Sequence, residues 1–300
     1  MAASRKIDSA NRQIRRVTNL GIVTNVLLAI IKVPAGFLAG SMALVADGLH
    51  SLSDIATDLA VLLGVHFGSK QPDRKHPYGH GRTETFAAVF IALVLAGIGG
   101  AMIYYAATDI AQGRTAKPAM PIVFAAAIIS IITKELLYKV TKKIAVKTHS
   151  SALYANAWHH RSDALSSVAV LIGVVALRFG FIYGDQIAAI AVGLMIIFVG
   201  VRIIGNCIGE LTEVAVDQDT IQQIERIIVS DDQISQWHKL RTRTVGREVF
   251  LDLHILVAPD LTVTAAHEIC ERLENTLHDK ITRPVNITVH IEPDAPRFRK

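Results

Sequence analysis

Long apolar segments with few charges occupy the first two thirds of the chain. Six of them reach the roughly 20 residues that a helix needs to cross the hydrocarbon core of a bilayer. They lie at residues 17–39, 41–68, 86–108, 120–141, 152–178 and 186–209. This pattern predicts an α-helical membrane protein with six transmembrane helices.

From about Val214 the pattern changes to that of a small soluble domain. Helical spacing covers residues 219–230 and Thr262–Leu277, and strand patterns cover residues 238–245, 248–257 and Val285–Ile291. The order αββαβ predicts a ferredoxin-like or metallochaperone-like fold. We therefore expect an N-terminal arm at residues 1–16, a six-helix transmembrane domain at 17–210 and a regulatory, dimerising domain at 211–300.

The composition supports a membrane protein and argues against a soluble enzyme. Apolar residues make up 51% of the chain, and the mean hydropathy is +0.38. The net charge of +5 does not indicate a nucleic-acid partner, because the basic residues flank the apolar segments. Two cysteines, Cys207 and Cys270, provide neither a disulfide framework nor a CxxC metal site.

The distribution of basic residues predicts the orientation in the membrane. Thirteen Lys and Arg residues lie in the N-terminal arm and in the second and fourth loops, whereas three lie in the opposite loops. Loops rich in Lys and Arg stay in the cytoplasm. We therefore expect a multi-pass protein of a bacterial inner membrane, with both termini cytoplasmic.

Ionisable residues interrupt the second span at helical spacing. Asp47, His50, Asp54 and Asp58 recur every three or four residues, so they share one stripe of a helix. An ionised Asp near the bilayer centre costs about 3 kcal/mol or more. The stripe forms either an ion path or a polar seam between helices, and intramembrane carboxylates favour the ion path.

The fifth span repeats this arrangement. His159 and Asp163 are four residues apart, as His50 and Asp54 are. Two such pairs on facing helices would bring two imidazoles and two carboxylates together. Nitrogen and oxygen ligands in a tetrahedral set suit Zn²⁺, with Co²⁺ and Cd²⁺ as further candidates. The sequence therefore predicts an intramembrane site for a transition metal.

The motifs HSLSD and HHRSD, the six spans and the αββαβ tail resemble the zinc-transporting bacterial type of the cation diffusion facilitator family. The resemblance implies a homodimer in the lipid bilayer that exports a divalent metal in exchange for protons by alternating access. It assigns the transport site to His50, Asp54, His159 and Asp163. Because both histidines are present, zinc is favoured over manganese, and an Fe²⁺ or Mn²⁺ exporter on the same scaffold is the alternative.

Two further features of the second loop match the family. Asp73, His76 and His80 correspond to its loop metal site, although the surrounding Pro and Gly residues are also typical of a solvated turn. Arg82 corresponds to a basic residue that in relatives pairs with an acid below the sixth span, here Glu213. Snorkelling of Arg82 at the membrane interface is the ordinary alternative.

The tail carries a second candidate metal site, with zinc as a regulatory ligand as well as the substrate. Taken singly, its histidines could be polar sheet surface. The resemblance assigns the ligands of the cytoplasmic site to His238, His254, His267, His290 and Glu292. Glu292 replaces an Asp of relatives, which keeps the charge and adds a methylene.

Two other functional classes are less compatible with the sequence. An intramembrane zinc protease needs HExxH, whereas His267–Glu268 is followed at the required place by Glu271 and lies in the tail. We therefore expect no enzyme. A metal-sensing scaffold with an idle pore would have little reason to keep four ionisable ligands inside the membrane.

Overall fold

The computed structural model describes residues 2–38, 42–114, 121–179, 181 and 183–299. The first seven helices are α1 (Ala2–Leu38), α2 (Met42–Ser53), α3 (Ile55–Gly68), α4 (Arg82–Ala111), α5 (Pro121–Thr148), α6 (Ser151–Arg178) and α7 (Gly184–Leu211). The connection around Gly40 and residues 115–120 lie outside the described residues. The chain forms two compact units: a helical bundle from Arg12 to Cys207, and a unit that begins at Ile208 and includes the first residues of α1.

Several helices are long and apolar enough to cross a membrane. Among the described residues, four stretches meet this criterion: Lys6–Ala35, Gly48–Gly68, Arg82–Ala111 and Gln186–Leu211. Helices α5 and α6 have 28 residues each, which is also sufficient length, but they carry more polar side chains. The helical membrane fold is confirmed, while the spans at 120–141 and 152–178 stay predictions.

The bundle has large apolar side chains on its outside, and its interior contains buried polar side chains beside an apolar core. Large apolar residues along the helices are exposed, for example Leu93 at 57% and Phe198 at 67%. In contrast, Asn25, Asp58 and Lys134 are at most 3% exposed. This arrangement is typical of a protein in a lipid bilayer, because apolar side chains face the hydrocarbon and ionisable groups face the bundle interior.

Two glycines let α4 and α7 approach closely. A Cβ added at Gly99 would lie 2.7 Å from the carbonyl oxygen of Gly193, and one added at Gly193 would lie 2.8 Å from the carbonyl oxygen of Gly99. Such distances are too short for any side chain. Small residues at a helix contact allow backbones to pack against each other in a membrane.

The second span departs from the continuous helix that its sequence predicts. A turn at Asp54 separates α2 from α3. The break falls at one of the proposed ligands, and its dihedral angles remain helical, with φ −62° and ψ −23°. The local change is therefore slight, since hydrogen bonds still join the Asp54 N–H to the His50 carbonyl and the Asp58 N–H to the Asp54 carbonyl.

The C-terminal unit has the αββαβ order predicted from the sequence. Its elements are α8 (Gln218–Val229), β1 (Gln236–Val245), β2 (Glu248–Val257), α9 (Val263–Lys280) and β3 (Val285–Pro293). The sheet order is β1-β2-β3, with β1 antiparallel and β3 parallel to β2. The ferredoxin-like expectation is confirmed.

The core of this unit comes from one face of β2 and the inner faces of α8 and α9. Val249, Leu251, Leu253, Ile255 and Val257 are at most 3% exposed, as their alternation predicts. The opposite face of β2 carries Glu248, Asp252 and His254 beside Phe250 and Leu256, so it can supply polar ligands.

Both helices of this unit begin with side-chain caps. Asp217 accepts a hydrogen bond from the Thr220 N–H at 2.9 Å, and Thr262 accepts one from the Ala265 N–H at 3.2 Å. Such caps satisfy N–H groups that the helix leaves without a partner. Helix α9 thus begins one residue after the predicted Thr262.

Candidate metal centre

Hydrogen bonds of the backbone position Asp54 at the junction of α2 and α3. The Asp54 N–H donates to the carbonyl of His50 at 3.1 Å, and the Asp58 N–H donates to the carbonyl of Asp54 at 3.3 Å. The hydroxyl of Thr57 also donates to the Asp54 carbonyl, at 2.8 Å. The Asp54 carboxylate is 2% exposed, and its Oδ1 lies 3.7 Å from Nε2 of His50.

Helix α6 supplies the second pair of predicted ligands. His159 and Asp163 are 1% and 8% exposed. The Ser162 hydroxyl donates to the carbonyl of His159 at 2.7 Å, and those of Ser166 and Ser167 donate to the carbonyl of Asp163. Serine side chains thus satisfy their own hydroxyls within the helix, which leaves the ligand side chains free to face α2 and α3.

The structure brings the four predicted transport residues together. Ligand atoms of His50, Asp54 and Asp163 lie within 4.8 Å of one another, and Nε2 of His159 lies 3.2 Å from Oδ1 of Asp54. A tetrahedral zinc with bonds of about 2.0–2.2 Å separates its ligand atoms by roughly 3.3–3.6 Å. Three pairs of these ligand atoms lie 3.2 to 3.9 Å apart, close to that spacing: His159 with Asp54, His50 with Asp54, and His50 with Asp163.

A buried lysine that the sequence analysis missed lies against the same carboxylates. Nζ of Lys134, on α5, lies 2.7 Å from Oδ2 of Asp54 and 2.8 Å from Oδ2 of Asp163. Its side chain is 3% exposed. The signal for it was a lysine inside an apolar run, since such residues in membranes pair with one another.

Asp58 lies in a separate polar cluster. Its carboxylate is fully buried and accepts hydrogen bonds from the amides of Asn156 at 2.7 Å and Asn25 at 3.2 Å. Nε2 of His160 lies 3.7 Å away. A Cβ at Gly21 would lie 3.1 Å from this carboxylate, which is a tight contact. Asp58 is thus part of a polar seam among α1, α3 and α6, whereas the side chain of Asp47 lies outside the described residues.

The predicted loop residues also lie together. Oδ1 of Asp73 accepts hydrogen bonds from the N–H groups of His76 at 2.7 Å and Lys75 at 2.8 Å. Oδ2 of Asp73 lies 3.4 Å from Nε2 of His80. The backbone hydrogen bond from His76 lowers the pKa of Asp73. The three side chains could hold a cation, and the same bonds also form an ordinary turn, so the loop site stays a prediction.

A β-bulge positions the histidine of β1 in the C-terminal unit. His238 is opposite His254, but Arg241 is opposite Asp252, so β1 contains one extra residue between these pairs. Lys239, within the bulge, has a φ of 52°. A bulge redirects a side chain at a functional site, and here it brings the His238 ring within 5.2 Å of the His254 ring.

Glu292 joins these histidines across the sheet. Its Oε2 lies 2.9 Å from Nε2 of His238, its Oε1 lies 3.0 Å from Nδ1 of His254, and Nε2 of His290 lies 3.6 Å from Oε1. The hydrogen bond from His254 lowers the pKa of Glu292. Nε2 of His238 and Oε2 of Glu292 are buried and have no hydrogen bond of good geometry among the described residues. Lone pairs left in this way suit a metal ligand set.

One residue assigned to the cytoplasmic site lies apart from the other proposed ligands. His267 is 67% exposed and lies 3.5 Å from Glu271 on α9, outside the cluster around Glu292. Glu213 lies 3.4 Å from Arg243 within the C-terminal unit. The role of His267 as a ligand therefore stays a prediction. The pairing of Arg82 with Glu213 is also a prediction.

Comparisons with known proteins cover both units. A family model described as the cation efflux transmembrane domain matches residues 19–212, and one described as the cation efflux protein cytoplasmic domain matches residues 216–294. Together the two models span most of the chain.

Individual relatives match over nearly their full length. An uncharacterized transporter, MJ0449, of Methanocaldococcus jannaschii is 35% identical over 94% of this chain and 99% of its own. The manganese efflux system protein MneP of Bacillus subtilis is 29% identical over 93% and 96%. The solved MamB CTD magnetosome protein of Desulfamplus magnetovallimortis is 20% identical and covers 26% of this chain and 96% of its own, with a TM-score of 0.25.

Proposed function

The chain belongs to the cation efflux family, also called the cation diffusion facilitators, and we propose that it exports Zn²⁺ from the cytoplasm in exchange for protons. It is a multi-pass membrane protein that moves metal cations. The observation that carries the proposal is the group of two imidazoles and two carboxylates at the α2–α3 junction and on α6, of which Asp54, His159 and Asp163 are buried.

The choice of zinc follows from the chemistry of these ligands. Imidazole nitrogen suits Zn²⁺, whereas Mn²⁺ prefers carboxylate, carbonyl and water oxygen. His50 and His159 each supply one nitrogen, and Asp54 and Asp163 each supply a carboxylate oxygen. Cd²⁺ and Co²⁺ can use the same set. An Mn²⁺ or Fe²⁺ exporter is the alternative, and the relative MneP is named for manganese efflux.

Alternating access would move the metal past this site. The ligands come from two helix segments, the junction of α2 and α3 and the middle of α6. A relative shift of these segments would open the site to one side of the membrane at a time. We infer a bacterial inner membrane, with both termini cytoplasmic, from the excess of basic residues in the arm and in alternate loops. No enzymatic step is needed for this activity.

Replacing one imidazole tests the choice of metal. We expect His159→Asp to improve Mn²⁺ transport relative to Zn²⁺, on the order of tenfold, because an oxygen ligand replaces a nitrogen ligand. The measurement is uptake of each metal into proteoliposomes that contain the purified protein. The matched control is His66→Asp, at an exposed position of α3, which should leave the ratio unchanged. An unchanged or increased zinc preference in His159→Asp would exclude His159 as a ligand.

The C-terminal unit is proposed to bind zinc as a regulatory ligand within a homodimer. The matching family model covers the cytoplasmic domain, and the cluster of His238, His254, His290 and Glu292 lies on the polar side of its sheet. Zinc occupancy there would report the cytoplasmic metal concentration to the transporter. His267 lies on α9 outside this cluster, so it would bind the same zinc only after a change in its position.

Zinc is expected to stabilise this unit when it is produced alone as residues 212–300. The unit has its own apolar core, so it should fold without the bundle. A ligand that binds the folded state alone stabilises it by about 2.7 kcal/mol at a hundredfold excess over Kd, which raises the Tm by on the order of 10 °C. Calorimetry with and without zinc measures this shift.

The same experiment has internal controls. The double variant His254→Ala with His290→Ala should lose the shift, whereas His278→Ala, on the last turn of α9, should keep it. A shift that survives in the double variant would place the zinc elsewhere in the unit.

A further inference from the structure

Lys134 joins three helices at the centre of the bundle. It extends from α5 and makes ion pairs with Asp54, at the α2–α3 junction, and with Asp163, on α6. All three side chains are at most 8% exposed. A lysine so deeply buried is stable only with its charge compensated, and the two carboxylates compensate it.

The oxygens of the two carboxylates are divided between the lysine and the histidines. Oδ2 of each carboxylate faces Lys134, at 2.7 and 2.8 Å. Oδ1 of Asp54 lies 3.2 Å from His159, and Oδ1 of Asp163 lies 3.9 Å from His50. The ammonium is therefore bound to the same groups that would hold the metal.

Counting charges shows that the lysine and a divalent metal compete. Two carboxylates and one ammonium carry a net charge of −1, and a divalent metal added to them gives +1. An uncompensated charge in a low-dielectric interior is costly. If both cations left, two bare carboxylates would repel each other at short range. The site is best compensated by the metal or by the lysine in turn.

We propose that Lys134 is a tethered competitor of the metal: its ammonium occupies the carboxylate pair when the metal has left and withdraws when metal binds. This inference rests on the proposed transport site. The lysine keeps its charge throughout, so the exchange is of one cation for another at Asp54 and Asp163. Metal binding is weakened by the competition, which assists release on the far side of the membrane.

The same helix offers a place to which the ammonium can withdraw. Ser130 lies four residues before Lys134 on α5, so both are on one face. Its hydroxyl is 2% exposed and has no hydrogen-bond partner among the described residues. Helical side chains lean toward the N-terminus of their helix. The ammonium could therefore leave the carboxylates for the Ser130 hydroxyl by rotation of its own side chain.

The proposal separates two kinds of transport. Net export requires the site to return across the membrane without metal, and the tethered ammonium offsets one of the two carboxylate charges during that return. Exchange of labelled zinc for unlabelled zinc requires only the loaded site to move in both directions. A variant without the lysine should therefore lose net export and keep exchange.

Lys134→Met in the full-length protein tests both consequences. The zinc binding that Asp54→Ala abolishes reports on the transport site. At this site we expect Lys134→Met to bind zinc at least about tenfold more tightly than the native protein at constant pH. Net zinc efflux from proteoliposomes should fall at least about tenfold, while zinc–zinc exchange stays within about threefold of the native rate. The matched control is Lys142→Met, two turns along the same helix, whose Nζ contacts the Tyr138 hydroxyl at 3.0 Å. The Lys142→Met variant should bind zinc with the affinity of the native protein.

Lys134→Arg keeps the charge and cannot lose its proton. Its two-pronged donor should hold the carboxylates more firmly and weaken zinc binding, the opposite direction from Lys134→Met. This variant decides the proposal if Lys134→Met does not fold.

Three results would overturn the proposal. Zinc affinity could be unchanged or weaker in Lys134→Met, exchange could be lost together with net export, or Lys134→Arg could bind zinc as tightly as the native protein. The control for the site itself is separate. If Asp54→Ala removes no zinc-binding component, the proposed transport site is wrong, and the role of Lys134 fails with it. If Asp54→Ala does remove a zinc-binding component, a failed prediction for the Lys134 variants refutes the role of Lys134 alone.

Discussion

Asp54→Ala is expected to reduce zinc flux at least about 100-fold while the protein keeps its fold. Loss of groups that merely orient a metal ligand already costs about 10–100-fold in affinity or activity, and Asp54 is a proposed ligand itself. It is also the group that contacts the other members, since its oxygens lie 3.2 Å from His159, 3.7 Å from His50 and 2.7 Å from Lys134. Zinc uptake into proteoliposomes measures the effect.

Two controls separate the loss of a ligand from the loss of the fold. Asp109→Ala removes a carboxylate near the end of α4 that lies 3.6 Å from Arg114, and this variant should transport normally. Size-exclusion chromatography and helical circular dichroism of Asp54→Ala should match the native protein, because Asp163 still compensates Lys134. Native zinc uptake by Asp54→Ala would refute the assignment of the transport site.

The sequence was sufficient to predict the proposed transport site, because the same His–Asp pair occurs in two of the predicted spans. The spacing of His50 with Asp54 and of His159 with Asp163 implied two facing pairs, and the structure places them within a few ångströms. The αββαβ order was likewise predictable, because the alternation of β2 marks its buried face.

Features that depend on the packing of a third helix were not predictable in the same way. Periodicity in α5 shows that Lys134 lies in an apolar segment but not which helix it faces, and its partners are 80 and 29 residues away in sequence. The cluster around Asp58 has the same origin, since Asn25 and Asn156 come from α1 and α6.

Backbone irregularities were a second limit. The bulge at Lys239, which aligns His238 with His254, and the turn at Asp54 are local departures from regular structure. Both lie at proposed ligands. Hydrophobic periodicity averages over several residues and therefore cannot detect a single extra residue or a single irregular turn.

Proton competition at the histidines is the second large effect that we expect. Imidazole binds a metal only after it loses its proton, and its ordinary pKa is about 6.5. The histidines face Asp54 and Asp163, and the same carboxylates face the ammonium of Lys134. Because Lys134 already forms ion pairs with both carboxylates, we expect His50 and His159 to be the groups that carry protons in exchange for metal.

The sign of the pH effect follows from this competition. As the pH falls from 7 to 6, a larger fraction of the imidazole is protonated and a smaller fraction can bind a metal, so zinc affinity weakens. Zinc titrations of the full-length protein at both pH values measure this change, with Asp54→Ala as the background to subtract. An inward proton gradient should also accelerate zinc export from proteoliposomes. Equal affinity at both pH values, together with a flux that ignores the gradient, would mean that the protein is a uniporter and that no proton returns through His50 and His159.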